Sequence, residues 1–291
     1  FASTAMSPHY VGRNLCATCH PKQIAEWLGS HHDLAMQAAT AETVLGNFDN
    51  TSLTHFGTES TFYRQDDRFM VRTEGATGEL EDFEVKYVFG VYPLQQYLIA
   101  FPGGRLQALS LAWDSRPTEE GGQRWFHLYP DEKIAHDDEL HWTRPSQNWN
   151  SMCAECHSTH LQKNYDVATD SYRTTFDEIN VACEACHGPG AAHVAWAEAA
   201  AQDPARRVDA DKGLVVDLAD RDGGSWVIDA QSGKPRRSKP RQDHTTIELC
   251  ARCHSRRGWI WADYEYGKPL GNSHRLSLLD QHLYFADGQI K

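Results

Sequence analysis

Every cysteine of this chain stands in a C-x-x-C pair, and a histidine follows each pair at once. The four quartets are Cys16-Ala-Thr-Cys-His20, Cys153-Ala-Glu-Cys-His157, Cys183-Glu-Ala-Cys-His187 and Cys250-Ala-Arg-Cys-His254. They consume all eight cysteines, Cys16, Cys19, Cys153, Cys156, Cys183, Cys186, Cys250 and Cys253, so none is left for a structural disulfide. Two thiols one helical turn apart can each add to a vinyl group of one haem, and the next side chain then offers imidazole to the iron. The pattern predicts four covalently attached c-type haems with His20, His157, His187 and His254 as proximal ligands. The same pairs also build zinc sites or thioredoxin-like redox pairs. Four of four pairs ending in histidine, with no cysteine outside them, favour haem.

Thioether anchoring needs no large enclosing pocket, so one chain can hold several haems close together. Sixteen histidines leave twelve for the opposite ring faces, against four methionines. A second histidine keeps a haem potential lower than methionine would. Met36 and Met152 are conceivable ligands but read as core packing. His160 lies within about 11 Å of extended chain from His157 and cannot easily round the ring edge. His193 lies six residues after His187; in a helix that advances only about 9 Å. It should therefore cap a different haem, and the same logic sends His32 to a neighbour of the first. His31, His136 and His244 read as surface or capping residues, whereas His9, His55, His127 and His282 stay open.

The formal charge is −12 and the pI about 5.7. Such a chain repels nucleic acid and anionic membranes and favours basic partners. No apolar run is long enough to span a bilayer. The start Phe1-Ala2-Ser3-Thr4-Ala5 is small and polar, like residues just past a secretory cleavage site, and predicts a periplasmic or extracellular protein.

Residues 12 to 40 read as a haem motif plus helix, with Pro21 at a first-turn position and Ile24, Trp27 and Leu28 at helical spacing. Between 54 and 130 five stretches are β-like: those beginning at Phe69, Phe83, Gln96, Leu106 and Trp125. Ser225 to Lys234 resembles a hairpin around Ser232-Gly233. The basic run Lys234 to Arg241 reads as a solvated loop, and Arg256 and Arg257 could reach propionates of the fourth haem. Gly188-Pro-Gly190 is a turn and lacks the spacing of a nucleotide loop. The expected architecture is a mainly α and irregular multihaem cytochrome c with an inserted antiparallel β region. Its expected segments are 1–52 (first haem), 53–135 (β-rich insertion) and 136–291 (three haems, with a loop or hairpin insertion at about 204–243).

Several stretches carry a resemblance to a known family. They include Trp27-x-x-Ser-x-His32, Phe89-Gly-Val-Tyr-Pro-Leu-Gln-Gln-Tyr97, Gly103-Gly-Arg-Leu-Gln-Ala-Leu109 and Trp113-Asp-Ser-Arg-Pro117. Trp125-Phe-His-Leu-Tyr-Pro130, His141-Trp-Thr, Asn148-Trp-Asn and Cys183-Glu-Ala-Cys-His-Gly-Pro-Gly190 extend it. The chain resembles secreted multihaem cytochromes related to the tetrahaem cytochrome of hydroxylamine oxidation, many of which carry C-terminal tetratricopeptide repeats. The resemblance implies distal ligands at His32, His141, His193 and His274, and places His160 where asparagine is expected. Family members usually continue past Leu283 to Ile290 into another haem motif, so the chain is expected to be a fragment, a processed form or a short branch.

Two function classes follow. The first is electron transfer to and from redox partner proteins, as a periplasmic shuttle or as a subunit of an oligomer or filament with haem contacts between copies. The second is an oxidoreductase acting on a small nitrogen or sulfur compound at a five-coordinate haem. No C-x-x-C-K occurs, and complete histidine capping favours the carrier.

Overall fold

The computed structural model describes residues 9–203, 205, 212–218, 224–240, 243–261 and 264–290. The Phe1 to Ala5 start, Arg241 of the basic run and parts of the 204–243 segment lie outside them. The chain forms two compact units, Gly12–Ala182 and a smaller one of Phe1–Val11 with Cys183–Lys291.

The larger unit opens with α1 (Arg13–Cys19) and α2 (Pro21–Trp27). The break between them is written in the sequence. Proline disfavours helical geometry in the residue before it and suits the first position of a new helix. His20 accordingly leaves the helix, at φ −120° and ψ 51°. Arg13 fastens this segment: its Nε lies 3.2 Å from Glu178, and its guanidinium donates to Asn180 at 3.1 Å and lies 5.2 Å from the Trp27 ring.

Nine strands then build one antiparallel sheet: β1 (Met36–Ala38), β2 (Thr51–His55), β3 (Thr58–Gln65), β4 (Arg68–Glu74), β5 (Leu80–Phe89), β6 (Leu94–Phe101), β7 (Arg105–Ala108), β8 (Leu111–Asp114) and β9 (Arg124–His127). The order is β2-β3-β4-β5-β6-β8-β9, with β1 added on β5 and β7 on β6. The sheet curls until its first and last strands meet, where the rings of His55 and His127 stack at 3.9 Å and 6°. His55 Nε2 donates to the Tyr129 carbonyl at 3.0 Å across the same seam.

Strand residues alternate between faces, and here both faces are apolar. Val88, Tyr97 and Ile99 join an inner cluster with Phe48, Phe62, Val71, Leu109, Trp125 and Trp142. Their neighbours Phe89 and Leu98 join an outer cluster with Met36, Ala108, Trp149 and Ala154. Phe48 stands edge-on to Phe62, Phe69, Tyr97 and Trp125 at 5.0 to 5.7 Å. After the sheet come α3 (Trp149–Met152), α4 (Ala154–His157) and the short pair β10 (Tyr165–Asp166) and β11 (Ser171–Tyr172).

The expectation of a mainly α and irregular chain with an inserted β region is therefore overturned. The sheet is the principal element of the larger unit, and among the described residues the α-helices run from 4 to 12 residues. The physical reason is that a C-x-x-C-H quartet needs barely more than one turn of helix. Four motifs thus imply little helix, whereas the aromatic stretches between the first and second supply the core.

The smaller unit contains α5 (Cys183–His187), α6 (Ala191–Gln202), the hairpin β12 (Trp226–Ile228) with β13 (Pro235–Arg237), α7 (Thr245–His254), and β14 (Arg257–Trp259) paired with β15 (His274–Leu276). Glu184, 3 % exposed, ties its parts together. Its carboxylate accepts from the backbone N–H of Val11 at 3.0 and 3.1 Å and of Gly190 at 2.7 Å. Replacing Glu184 by alanine removes the acceptor from both half-buried N–H groups, each at the low end of the about 1–3 kcal/mol that an unsatisfied buried group costs. The expected loss is about 2 kcal/mol for the smaller unit, measured by urea unfolding; a loss below roughly 1 kcal/mol would remove Glu184 from that role.

Candidate haem centres

The four attachment motifs divide evenly between the units. Cys16, Cys19 and His20 on α1 and its break, and Cys153, Cys156 and His157 around α4, belong to the larger one. Cys183, Cys186 and His187 on α5, and Cys250, Cys253 and His254 on α7, belong to the smaller. None of the eight cysteines forms a disulfide, which suits thioether formation. Burial pushes the Cys186 thiol up to about 11, and Cys253 and Cys250 add to the shift. The third and fourth motifs are therefore near neighbours.

The second motif shows how the fold positions a proximal imidazole. Asn148 caps α3 by accepting from the Ser151 N–H at 3.1 Å. Cys153 packs against the outer cluster, where burial pushes its thiol up to about 11. His157 donates from Nδ1 to the Ala35 carbonyl at 2.9 Å, with Phe89 edge-on at 5.4 Å. A carbonyl can only accept, so the ring hydrogen sits on Nδ1 and the lone pair on Nε2, the arrangement an iron ligand requires. Burial holds this imidazole below its usual range, which keeps it neutral and ready to ligate. The donor set and the tautomer both fit haem.

The distal candidates divide in the same way. His32 and His141 lie in the larger unit, His193 and His274 in the smaller. His32 is exposed at the start of a short 3₁₀ turn, and its carbonyl accepts from Val181 N–H at 3.2 Å. His193, on α6, donates from Nδ1 to the Lys212 carbonyl at 2.9 Å and stacks near Trp196. His274 is buried, with Nδ1 2.8 Å from Ser273 Oγ and Trp259 edge-on at 5.8 Å. His141 is buried too, with Nδ1 2.8 Å from Thr143 Oγ1. In three of the four, Nδ1 is the nitrogen engaged by a protein partner. These partners, a backbone carbonyl or a hydroxyl one or two residues away, give no signal in a single sequence.

His141 stands apart in one respect. It adjoins Trp142 of the inner cluster, whereas Cys153 packs on the outer one. His160 is paired with Asp177, Nδ1 to Oδ2 at 2.6 Å, and His136 faces Glu74 at 3.4 Å. Met36 is fully buried in the outer cluster, and Met152 is 63 % exposed.

His127 carries a pH signature. Burial, with His55 as a second cause, pushes it down to about 4. Between about pH 6.5 and 4 the unfolded chain binds a proton that the folded one refuses. That stabilisation is complete above the ordinary histidine range and is lost as pH falls towards 4. Urea midpoints at pH 7 and pH 5 are expected to differ less in His127→Gln than in wild type, by a slope approaching one proton. Equal slopes would contradict the assignment.

The chain matches the family described as cytochrome c554 and c-prime over residues 15–74 and 123–188. These residues contain the first three attachment motifs, together with His32 and His141. No curated protein matches the chain, and no solved structure does. The family match supports a c-type cytochrome with covalently bound haem and a role in electron transfer. Among the described residues no helix is long and apolar enough to cross a membrane.

Proposed function

We propose that this chain is a tetrahaem electron-transfer protein that works outside the cytoplasm. Haem bound through Cys16/Cys19, Cys153/Cys156, Cys183/Cys186 and Cys250/Cys253 supplies one-electron chemistry at iron. His20, His157, His187 and His254 would hold it as the histidines of the attachment motifs, and His32, His141, His193 and His274 would supply the second ligands. The observation that carries this reading is the even division of the ligands: each unit contains two attachment motifs and two distal candidates. The chain's own task is to position the rings, set their ligation and exclude water around His157 and His274. Electrons pass to redox partner proteins, with the chain as a shuttle or as a subunit of a filament of its own copies.

The test is the mass of the denatured protein, expected to exceed that of the polypeptide by four haems. Electron paramagnetic resonance of the oxidised protein is expected to show only low-spin iron. A high-spin haem that binds a small nitrogen compound would replace the carrier by an oxidoreductase. A mass equal to the bare polypeptide would end the haem reading altogether.

A further inference from the structure

Beside the stacked pair His55 and His127 lies a cavity of about 50 Å³, lined also by Ser110, Lys133, Glu74 and His141. Liquid water occupies about 30 Å³ per molecule, so the space suits a group of carboxylate size. It is far below the roughly 300–1,000 Å³ of a pocket for a whole cofactor. Ser110 is 3 % exposed, and its Oγ has no hydrogen-bond partner. Buried hydroxyls are nearly always satisfied, so one left open into a cavity points to something that fills it.

The polar groups on the wall are chiefly donors. The Tyr129 N–H donates to His127 Nδ1 at 3.0 Å, while the Tyr129 carbonyl is served by His55 Nε2. His127 Nδ1 also lies 3.2 Å from that carbonyl; with the carbonyl already served by His55 and the shorter contact coming from the Tyr129 N–H, we assign the His127 ring hydrogen to Nε2. Lys133 is exposed and brings a cation to the rim. Glu74 has both oxygens turned to partners, Oε2 to Thr58 Oγ1 at 3.4 Å and Oε1 to His136 at 3.4 Å. An acceptor with no hydrogen of its own is what this wall leaves unanswered.

We propose that the cavity binds one small oxyanion of the carboxylate class, held by the Ser110 hydroxyl, the His127 Nε2–H and the Lys133 ammonium. Two sources carry that chemistry: a free anion of formate size, or a propionate arm of a haem capped by the neighbouring His141. Only the second source rests on the electron-transfer reading.

The experiment titrates formate by calorimetry into the haem-loaded wild type, Ser110→Ala and Lys133→Met, and measures the haem midpoint potentials of the same three proteins. Ser110→Ala removes an unsatisfied hydroxyl and should fold as well as wild type. If the anion is free, formate binds wild type, and each substitution weakens it by roughly tenfold or more. If the anion is a propionate, formate does not bind, and each substitution shifts the potential of one haem. Equal formate binding by all three proteins overturns the proposal, as does no binding together with unchanged potentials. If the chain proves to carry no haem, the formate titration alone decides.

Discussion

A Cys153→Ala/Cys156→Ala variant is expected to carry three haems, its denatured mass lower by one haem and its red absorbance by about a quarter. The two thiols flank the start of α4, and no other cysteine lies within 25 residues on either side to substitute for them. The loss should reach beyond the cofactor count. Cys153 packs on the cluster of Met36, Phe89, Leu98, Trp149 and Ala154, and His157 is joined to the segment before β1 through Ala35. An unfilled site there weakens the outer face of the sheet. The result that would sink the assignment is an unchanged haem count, or a haem-free wild type whose zinc content falls with the substitution.

Trp125→Ala should bring the largest loss of stability. The indole is 6 % exposed and lies flat on Phe62 at 3.5 Å. Phe48, Tyr97 and Trp113 surround it at 5.1 to 5.3 Å. Its Nε1–H donates to the Asn47 carbonyl at 2.9 Å, a bond the substitution removes, leaving that carbonyl only the Thr51 hydroxyl at 2.6 Å. Removing a buried tryptophan costs about 3–5 kcal/mol, against a total of about 5–15 kcal/mol for a typical domain. Urea unfolding of the haem-loaded protein measures it. Trp125→Phe should recover part of the packing but not the hydrogen bond. A loss below roughly 1 kcal/mol for the alanine variant would show that this cluster is not the core.

Local chemistry was legible in the sequence and long-range packing was not. The cysteine quartets, the turn at Ser232-Gly233 between β12 and β13, and the helix break at Pro21 all announce themselves through neighbouring residues. So do the five β-like stretches, each of which lies in strands of the large sheet. What escaped is that both faces of β5 and β6 are covered, so that Val88 and Phe89 serve different cores. A run apolar on successive residues cannot reveal how many strands it will join, and an insertion was the smaller inference. The seam at His55 and His127 joins residues 72 positions apart (127 − 55). Ser110 looks like any strand serine until its empty surroundings are seen, and Glu184 sits inside a haem motif whose spacing makes no demand on it.

The smaller unit buries few large apolar side chains among its described residues, chiefly Val216, Leu249, Leu270 and Tyr284. Trp261, Leu278 and Leu279 meanwhile stand 68 %, 88 % and 78 % exposed. Among the described residues, so thin an interior offsets little of the conformational entropy that folding costs. For a c-type cytochrome the consequence is one of timing. On the tetrahaem reading proposed above, two porphyrins would add the apolar bulk that condenses this unit, and attachment would precede compaction. On that reading, a chain that misses its prosthetic groups would be a substrate for proteolysis rather than a spare apoprotein awaiting rescue.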